Sequence, residues 1–195
     1  MLDAATRPLL MVLESISMIA FAVLAYRFYL VARDLGGERV YYYCYGFLLL
    51  SASQAVMFLS VAYINPRVSL SLYTASSTLS LAGFYAFAYG RRATSLVAGN
   101  RFPVIAVVWL KSVVAVIDYI TGFIGMAVSA FTRGLAKYLI AVIALSYITR
   151  GSSLLASIVS GEDSLLAILL VGELARSIAA TLLSIAYVVP GSERE

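Results

Sequence analysis

Long apolar runs separated by short polar turns constrain this chain more than any other feature of its sequence. The runs at 9–24, 68–89 and 104–117 approach or exceed the length of helix that crosses a bilayer core, about 20 residues. They lack the alternation over about 10-residue segments that a membrane β-barrel requires. The sequence therefore predicts an all-α integral membrane protein.

The polar turns between these runs recur at a regular spacing. Gly37-Glu38-Arg39, Gly99-Asn100-Arg101 and Gly161-Glu162-Asp163 lie 62 residues apart. The segments 59–66 and 183–190 resemble each other and are separated by twice that spacing. This pattern favours three tandem helical hairpins of about 62 residues in one orientation. Chance similarity within a Leu-, Ser-, Ala- and Tyr-rich composition is the alternative.

Six transmembrane helices fit the chain, which we interpret as a single domain over residues 1–195. The predicted helices cover 8–33, 40–64, 68–89, 102–128, 134–158 and 164–189. Their short connections predict that consecutive helices are antiparallel neighbours. The first run is interpreted as a retained helix, because no small-residue cleavage site follows it before Arg27. No extramembrane domain is expected.

The composition restricts the available chemistry. Charged residues make up 12% of the chain, against about 25% in soluble domains. There is no histidine and only one cysteine, Cys44, which excludes histidine-ligated metal or haem, histidine general bases and an intrachain disulfide. We predict no cofactor, and the scarcity of Asn and Gln favours a heat-adapted source.

Five ionisable residues fall within the predicted spans and are the candidate functional residues. They are Glu14, Lys111, Asp118, Glu173 and Arg176. A charge at a helix centre costs roughly 2.5–3.5 kcal/mol on insertion scales, so each is expected to face the bundle interior and meet a partner. We interpret the five as a buried charge track.

Their spacing predicts how these residues pair. Lys111 and Glu173 are 62 residues apart, which predicts equal depth and an ion pair shared with Arg176 one turn further on. Asp118 lies about 10 Å along helix 4 from Lys111, which places it with Glu14 in the outer half of the membrane. The alternative is that these charges only fix helix register and packing.

The sequence does not contain the sets of residues that intramembrane proteases require. An intramembrane aspartyl protease needs two facing aspartates, and only Asp118 lies in a span. Ser112 follows Lys111, but adjacent helical residues point about 100° apart, which disfavours a Ser–Lys dyad. We predict no catalytic residue and no enzymatic activity.

Basic residues near the predicted helix ends set the expected orientation. One side collects Arg27, Arg33, Arg39, Arg91, Arg92, Arg101 and Arg150. The other collects Arg7, Arg67, Arg133, Lys137 and Arg194. The richer side is expected to be cytoplasmic, which predicts a plasma-membrane protein with both termini outside.

Two classes of function follow. The first is a small transporter or ion-coupled permease that uses the buried charges as its pathway. The second is a non-catalytic membrane subunit that anchors, scaffolds or senses within a larger complex. The expected partners are the lipid bilayer and either further copies of the chain or a membrane-complex partner, with no nucleic acid.

Overall fold

The computed structural model describes residues 6–36, 38–63, 65–92, 111–160 and 166–188, which form six α-helices. The helices are α1 (Thr6–Leu35), α2 (Glu38–Ala62), α3 (Pro66–Arg92), α4 (Lys111–Ala130), α5 (Leu135–Ser160) and α6 (Leu166–Val188). Five of them, all but the hydroxyl-rich α3, are long and apolar enough to cross a membrane. The predicted helical membrane bundle is confirmed.

Local sequence signals set the helix boundaries. Asn65 caps α3, because its side-chain oxygen accepts a hydrogen bond of 3.0 Å from the Arg67 N–H, and Pro66 occupies the first helical position. At the end of α1, Gly36 adopts a φ of 65° and its N–H donates to the Ala32 carbonyl at 2.8 Å. Glycine accepts this left-handed conformation without strain, which ends the helix cleanly.

The outward faces of the helices are apolar stripes. The stripe on α1 consists of Leu9, Val12, Ile16, Ile19 and Val23. The stripe on α6 consists of Val171, Leu174, Ile178, Leu182 and Ile185. Both repeat at the three- and four-residue spacing of one helix face. Charged side chains lie in the interior instead, so the distribution is the reverse of that in a water-soluble bundle and fits a lipid surround.

The six helices form a ring in which each helix packs on the next and α6 packs on α1. Helices α1 and α2 are antiparallel, since the ring of Phe21 meets Phe47 and that of Phe28 meets Tyr43. The neighbouring pairs α2–α3, α4–α5 and α5–α6 are antiparallel in the same way. Long side chains therefore fill the centre of the ring.

Helices α3 and α4 run parallel, which the sequence analysis did not expect. Tyr73 meets Asp118 near the beginnings of both helices, and Arg91 meets Thr132 near their ends. Arg92 and Lys111 consequently lie at opposite ends of the bundle. The prediction of three tandem hairpins is wrong at its second hairpin, because it treated α3 and α4 as an antiparallel pair. The predicted helical residues 102–110 lie outside the described residues.

Helices α1 and α6 also run parallel. Glu14 meets Arg176 near the beginnings of these helices, and Phe28 meets Tyr187 near their ends. Helix α1 therefore begins at one end of the bundle and α6 finishes at the other. This order differs from the antiparallel order throughout the chain on which the prediction of both termini outside was based. The termini themselves, residues 1–5 and 189–195, lie outside the described residues.

This order divides the ring into two units of three helices. The first unit is α1–α3 and the second is α4–α6, and both run in the same sequence of directions. We call the α1–α6 contact the first seam and the α3–α4 contact the second seam. The Thr6 end is the end where α1, α3, α4 and α6 begin, and the Val188 end is the opposite one.

The interior changes character along the axis of the ring. Towards the Val188 end it is an aromatic block in which Phe47 stacks on Phe28 and Phe21, with Phe84 and Phe87 alongside. Towards the Thr6 end it is a thin apolar layer, which consists of Leu10, Met57 and Val61 with Met11, Leu169 and Leu170 packed against them. Charged residues lie between these two regions.

Candidate functional site

A cluster of charged side chains occupies the centre of the ring between the two apolar regions. Its members have no exposed surface and come from four helices: Glu14 (α1), Asp118 (α4), Arg150 (α5), Glu173 and Arg176 (α6). We call these five residues the central charge cluster. Burial of charges in lipid is costly, so each member depends on the others for compensation.

Arg176 joins the two units across the first seam. Its Nη2 donates to Glu14 Oε2 at 2.7 Å, and the same nitrogen pairs with Glu173 one turn earlier on α6. Beside it, the hydroxyls of Ser17 and Ser177 lie 2.9 Å apart, and Ser177 also donates to the Leu13 carbonyl at 2.9 Å. The first seam is therefore held by a charge-assisted bond and two hydroxyl contacts.

Arg150 joins the units across the second seam. Its Nε donates to the Tyr73 hydroxyl at 3.0 Å and lies 3.5 Å from Asp118 Oδ2 and 3.8 Å from Glu173 Oε1. Its Nη2 donates to the Ser77 hydroxyl at 3.3 Å. The guanidinium also lies over the Tyr73 ring, 4.6 Å from its centroid. One arginine of the second unit thus contacts two polar residues of the first.

Hydroxyl and amide groups continue the polar region from the cluster into the first unit. The Tyr147 ring lies 5.3 Å from the Arg150 guanidinium, and its hydroxyl accepts hydrogen bonds from Ser80 at 2.9 Å and Gln54 at 3.2 Å. Ser80 in turn lies 2.6 Å from the Ser53 hydroxyl. Ser76, Ser77 and Ser80 of α3 thus point inward, where they bond to α2 and α5 rather than line an open pore.

The polar residues lie in one layer across the ring. Glu14, Tyr73, Asp118 and Glu173 each follow the start of their own helix by about eight residues, or roughly 12 Å of helix. Gln54 precedes the end of the antiparallel helix α2 by a similar distance. The layer is therefore nearer the Thr6 end, where only the thin apolar layer separates it from the helix starts.

Some polar atoms of this layer have no hydrogen-bond partner within the described ranges. They include Glu14 Oε1, Gln54 Oε1, Asp118 Oδ1 and Arg150 Nη1, all on side chains with zero exposure. An unsatisfied buried polar atom costs roughly 1–3 kcal/mol. Such atoms are able to bond to a small polar ligand or water, and the carboxylate oxygens among them to a proton.

The structure brings together four of the five predicted site residues. Glu14, Asp118, Glu173 and Arg176 lie in the central charge cluster, although Glu14 and Asp118 do not form the separate outer pair that we expected. Lys111 is exposed at the first residue of α4, and Glu173 pairs with Arg176 and Arg150 instead of Lys111. The predicted Lys111–Glu173 pair is wrong, because equal spacing in the sequence does not give equal depth.

Arg150 is the member of the cluster that the sequence analysis misplaced at an interface. It lies about ten residues before the end of α5, within an apolar stretch from Leu139 to Val159. Its separation in the sequence from the polar turn that begins at Gly161 is the signal that would have indicated a position deep in the membrane span.

The surface that faces lipid carries two shallow grooves. The larger, of about 510 Å³, lies on the second seam towards the Val188 end and is lined by Tyr85, Ala88, Arg91, Ile124, Ala127 and Phe131, among others. The smaller, of about 320 Å³, lies between α5 and α6. Neither groove is lined by a member of the central charge cluster.

Comparison with known proteins gives no relative. No protein-family model matches the chain, and neither a curated protein nor a solved structure is significantly similar to it.

Proposed function

We propose that this protein is a small proton-linked permease in which two three-helix units move relative to each other around the central charge cluster. The observation that carries the proposal is that buried polar contacts join the units at both seams, through Arg176–Glu14 at the first and Arg150–Tyr73 at the second. Charges at a moving interface can exchange partners as the interface opens. The proposal assigns them no catalytic chemistry.

The energetics of buried ion pairs support a functional role for the cluster. Replacement of a buried ion pair by apolar residues is often neutral or stabilising, so packing alone does not call for such pairs. Five fully buried charges, in addition to the buried hydroxyl and amide groups around them, are a costly way to fix register. A pathway that depends on protonation would require buried charged groups of this kind.

The order of the helices supports the same proposal. Units that repeat in the same direction about an axis along the membrane normal are one of the architectures of secondary transporters, and their ligand sites lie at the interface of the repeats. The central charge cluster occupies the corresponding place, since its contacts cross from Glu14 and Tyr73 of the first unit to Arg176 and Arg150 of the second.

The distribution of basic residues supports an orientation in the plasma membrane. The Val188 end carries Arg33, Arg39, Arg91, Arg92, Arg133 and Lys137, whereas Arg7, Arg67 and Lys111 lie at the Thr6 end. By the positive-inside rule we propose that the Val188 end is cytoplasmic and the Thr6 end external. The start of α1 then lies outside and the end of α6 inside.

Uptake by the purified protein in proteoliposomes tests the function. Vesicles that enclose a pH indicator are given a panel of cations and small metabolites with and without an imposed pH gradient. We expect uptake of at least one solute accompanied by proton movement. Asp118→Asn should abolish it, and Asp34→Asn should not, because Asp34 is an exposed aspartate paired with Arg33 at the surface. The melting temperature of each variant is recorded in parallel.

A non-catalytic subunit of a membrane complex is the second candidate. It is favoured by the closed centre of the ring and by the apolar grooves on the lipid-facing surface, which a partner helix would fill. Well-folded protein that moves no solute or proton would favour this candidate. Co-purification from native membrane would then identify the partner, and the mass of the detergent-solubilised particle would show whether the chain assembles with itself.

A further inference from the structure

The central charge cluster contains unequal numbers of acidic and basic groups. It contains three carboxyl groups, on Glu14, Asp118 and Glu173, and two guanidinium groups, on Arg150 and Arg176. If every group were ionised, one negative charge would remain without compensation in a region that has no exposed surface. An uncompensated buried charge is strongly unfavourable, and a buried acid meets this cost by becoming neutral.

We propose that Asp118 is a proton-binding site and that the closed ring holds one proton there. This inference deepens the proposed function, because it names the proton as the coupling ion and one carboxyl as its carrier. The oxygen–hydrogen bond forms on Asp118 with a proton from bulk water, so the cluster becomes neutral and nothing else is consumed.

The contacts of the three carboxyls distinguish Asp118 from the other two. Glu14 accepts a hydrogen bond of 2.7 Å from Arg176, and Glu173 is paired with Arg176 and also faces Arg150. The shortest ion pair of Asp118 is longer than those of the two glutamates, since its Oδ2 lies 3.5 Å from Arg150 Nε, and its other neighbours are the neutral hydroxyls of Tyr73, at 3.4 Å, and Ser77. Each of the three carboxyls has at least one oxygen without a hydrogen-bond partner in the described part of the chain, so the ion-pair distances decide between them. Asp118 is therefore the least compensated of the three.

The surroundings favour a proton over a metal ion as the compensating cation. The charged and titratable groups that face Asp118 are Arg150 on α5, Tyr73 on α3 and, further away, Glu173 on α6. The Arg150 guanidinium would repel a metal cation at this carboxyl, whereas a proton needs only one lone pair. Among the described residues, no group of three acidic or cysteine side chains has the arrangement of a metal site.

Proton occupancy and packing of the ring are linked by this charge balance. Loss of the proton leaves a net negative charge in the dry centre, so the deprotonated cluster favours a form that admits water. The closed ring is consequently the protonated form. Release of the proton requires that a seam open, which is the property a coupled permease needs.

Infrared spectroscopy of the unaltered protein tests the site without any measurement of transport. Protonated carboxyl groups give a carbonyl-stretch band that is distinct from that of carboxylates. Protein made by cell-free synthesis with side-chain ¹³C-labelled aspartate should show this band at neutral pH, shifted by the label, with an intensity of one group per chain. Glutamate labelling should leave the band in place. A band that follows the glutamate label, or no band at all, would overturn the assignment.

Variants then test the charge balance itself. Asp118→Asn and Glu14→Gln should each remove the band, because two carboxyls and two guanidiniums remain. Arg150→Gln should double it, and Asp34→Asn should leave it unchanged, because Asp34 is exposed. A band that persists in Glu14→Gln would refute the balance. Since the spectrum reports occupancy alone, protein that holds the proton but moves no solute would refute the permease and leave the site standing.

Discussion

The two seams join the same two units through different kinds of contact. At the first seam a bond of 2.7 Å between Arg176 and Glu14 lies beside the Ser17–Ser177 hydroxyl contact of 2.9 Å. At the second seam the Tyr73 hydroxyl lies 3.4 Å from Asp118 and accepts from Arg150 Nε at 3.0 Å, and Arg91 Nη2 donates to the Thr132 hydroxyl at 2.9 Å, so each of these contacts involves a neutral hydroxyl group. The second seam also carries a groove of about 510 Å³ towards the Val188 end.

This difference indicates which part of the ring would move. A carboxylate–guanidinium pair resists separation more than a hydrogen bond to a neutral hydroxyl does, so rotation of the units would use the first seam as a hinge and open the second. Asp118, the proposed proton carrier, lies on the side that would open. The arrangement therefore places proton release where water would enter.

Cross-linking each seam separately should have the largest effect on solute uptake. In a Cys44→Ser background, Ala88→Cys with Ala127→Cys places two thiols in the groove of the second seam. A short bifunctional thiol reagent should then abolish solute uptake in proteoliposomes, because the units can no longer separate there. Cross-linked protein that retains full uptake would show that the second seam does not open.

The matched control locks the first seam. Ser17→Cys with Ser177→Cys replaces two hydroxyls that lie 2.9 Å apart, so a disulfide should form on oxidation. Uptake should persist in this variant, since a hinge stays in place during the cycle. Equal inhibition by both locks would remove the distinction between the seams.

Arg176→Gln should produce the largest loss of stability. It leaves Glu14 and Glu173 buried without their shared guanidinium, and removal of one partner of a buried pair costs about 3–5 kcal/mol. Equilibrium unfolding in mixed detergent micelles measures the change. The control is Arg33→Gln, whose pair with Asp34 is 61% and 65% exposed and should contribute less than about 1 kcal/mol. Similar losses for both variants would contradict the burial of the cluster.

Tyr73→Phe should have an intermediate effect. It removes the hydroxyl that accepts from Arg150 and donates to Asp118, and keeps the ring beneath the guanidinium. We expect a loss of about 1–2 kcal/mol, smaller than that of the arginine variant because no charge is left unpaired. Tyr138→Phe, at a position 66% exposed, is the control and should be neutral. A loss equal to that of Arg176→Gln would mean that the hydroxyl contacts of the second seam contribute as much as the charges of the first.

The sequence predicted the number and type of the helices because long apolar runs and capping signals are local. It also predicted that Glu14, Asp118, Glu173 and Arg176 face inward, since a charge in lipid must find a partner. The parallel order of α3 and α4 was not predictable in this way, because the local signals that define a helix do not set its direction relative to the next one. Because that order was taken as antiparallel, the predicted depth of Lys111 in the membrane was wrong. The predicted end of the bundle at which α6 finishes was wrong for the same reason.

Local sequence patterns also could not predict which carboxyl group pairs with which arginine in the central charge cluster. The spacing of Glu173 and Arg176 predicts their contact within one helix. The pairs Arg176–Glu14 and Arg150–Asp118 join separate helices, and the choice between them depends on the order of the ring. Arg150 was grouped with the basic residues near helix ends, although it lies eight residues before the predicted end at 158 and ten before the observed end of α5.

Ser17→Ala should have the smallest effect of the series and would show what holds the first seam. The substitution removes the contact with the Ser177 hydroxyl, but Ser177 keeps its bonds to the Leu13 and Glu173 carbonyls at 2.9 Å. Hydrogen bonds between membrane helices average about 0.6 kcal/mol, so we expect a loss of that order in the unfolding assay. Ser71→Ala, at an exposed position where the hydroxyl bonds only to its own helix, should cost less still. A small loss for Ser17→Ala beside a large one for Arg176→Gln would assign the strength of the first seam to its charges. A loss as large as that of Tyr73→Phe would instead make the hydroxyl contact the hinge, and the charges would then be free to exchange partners at both seams.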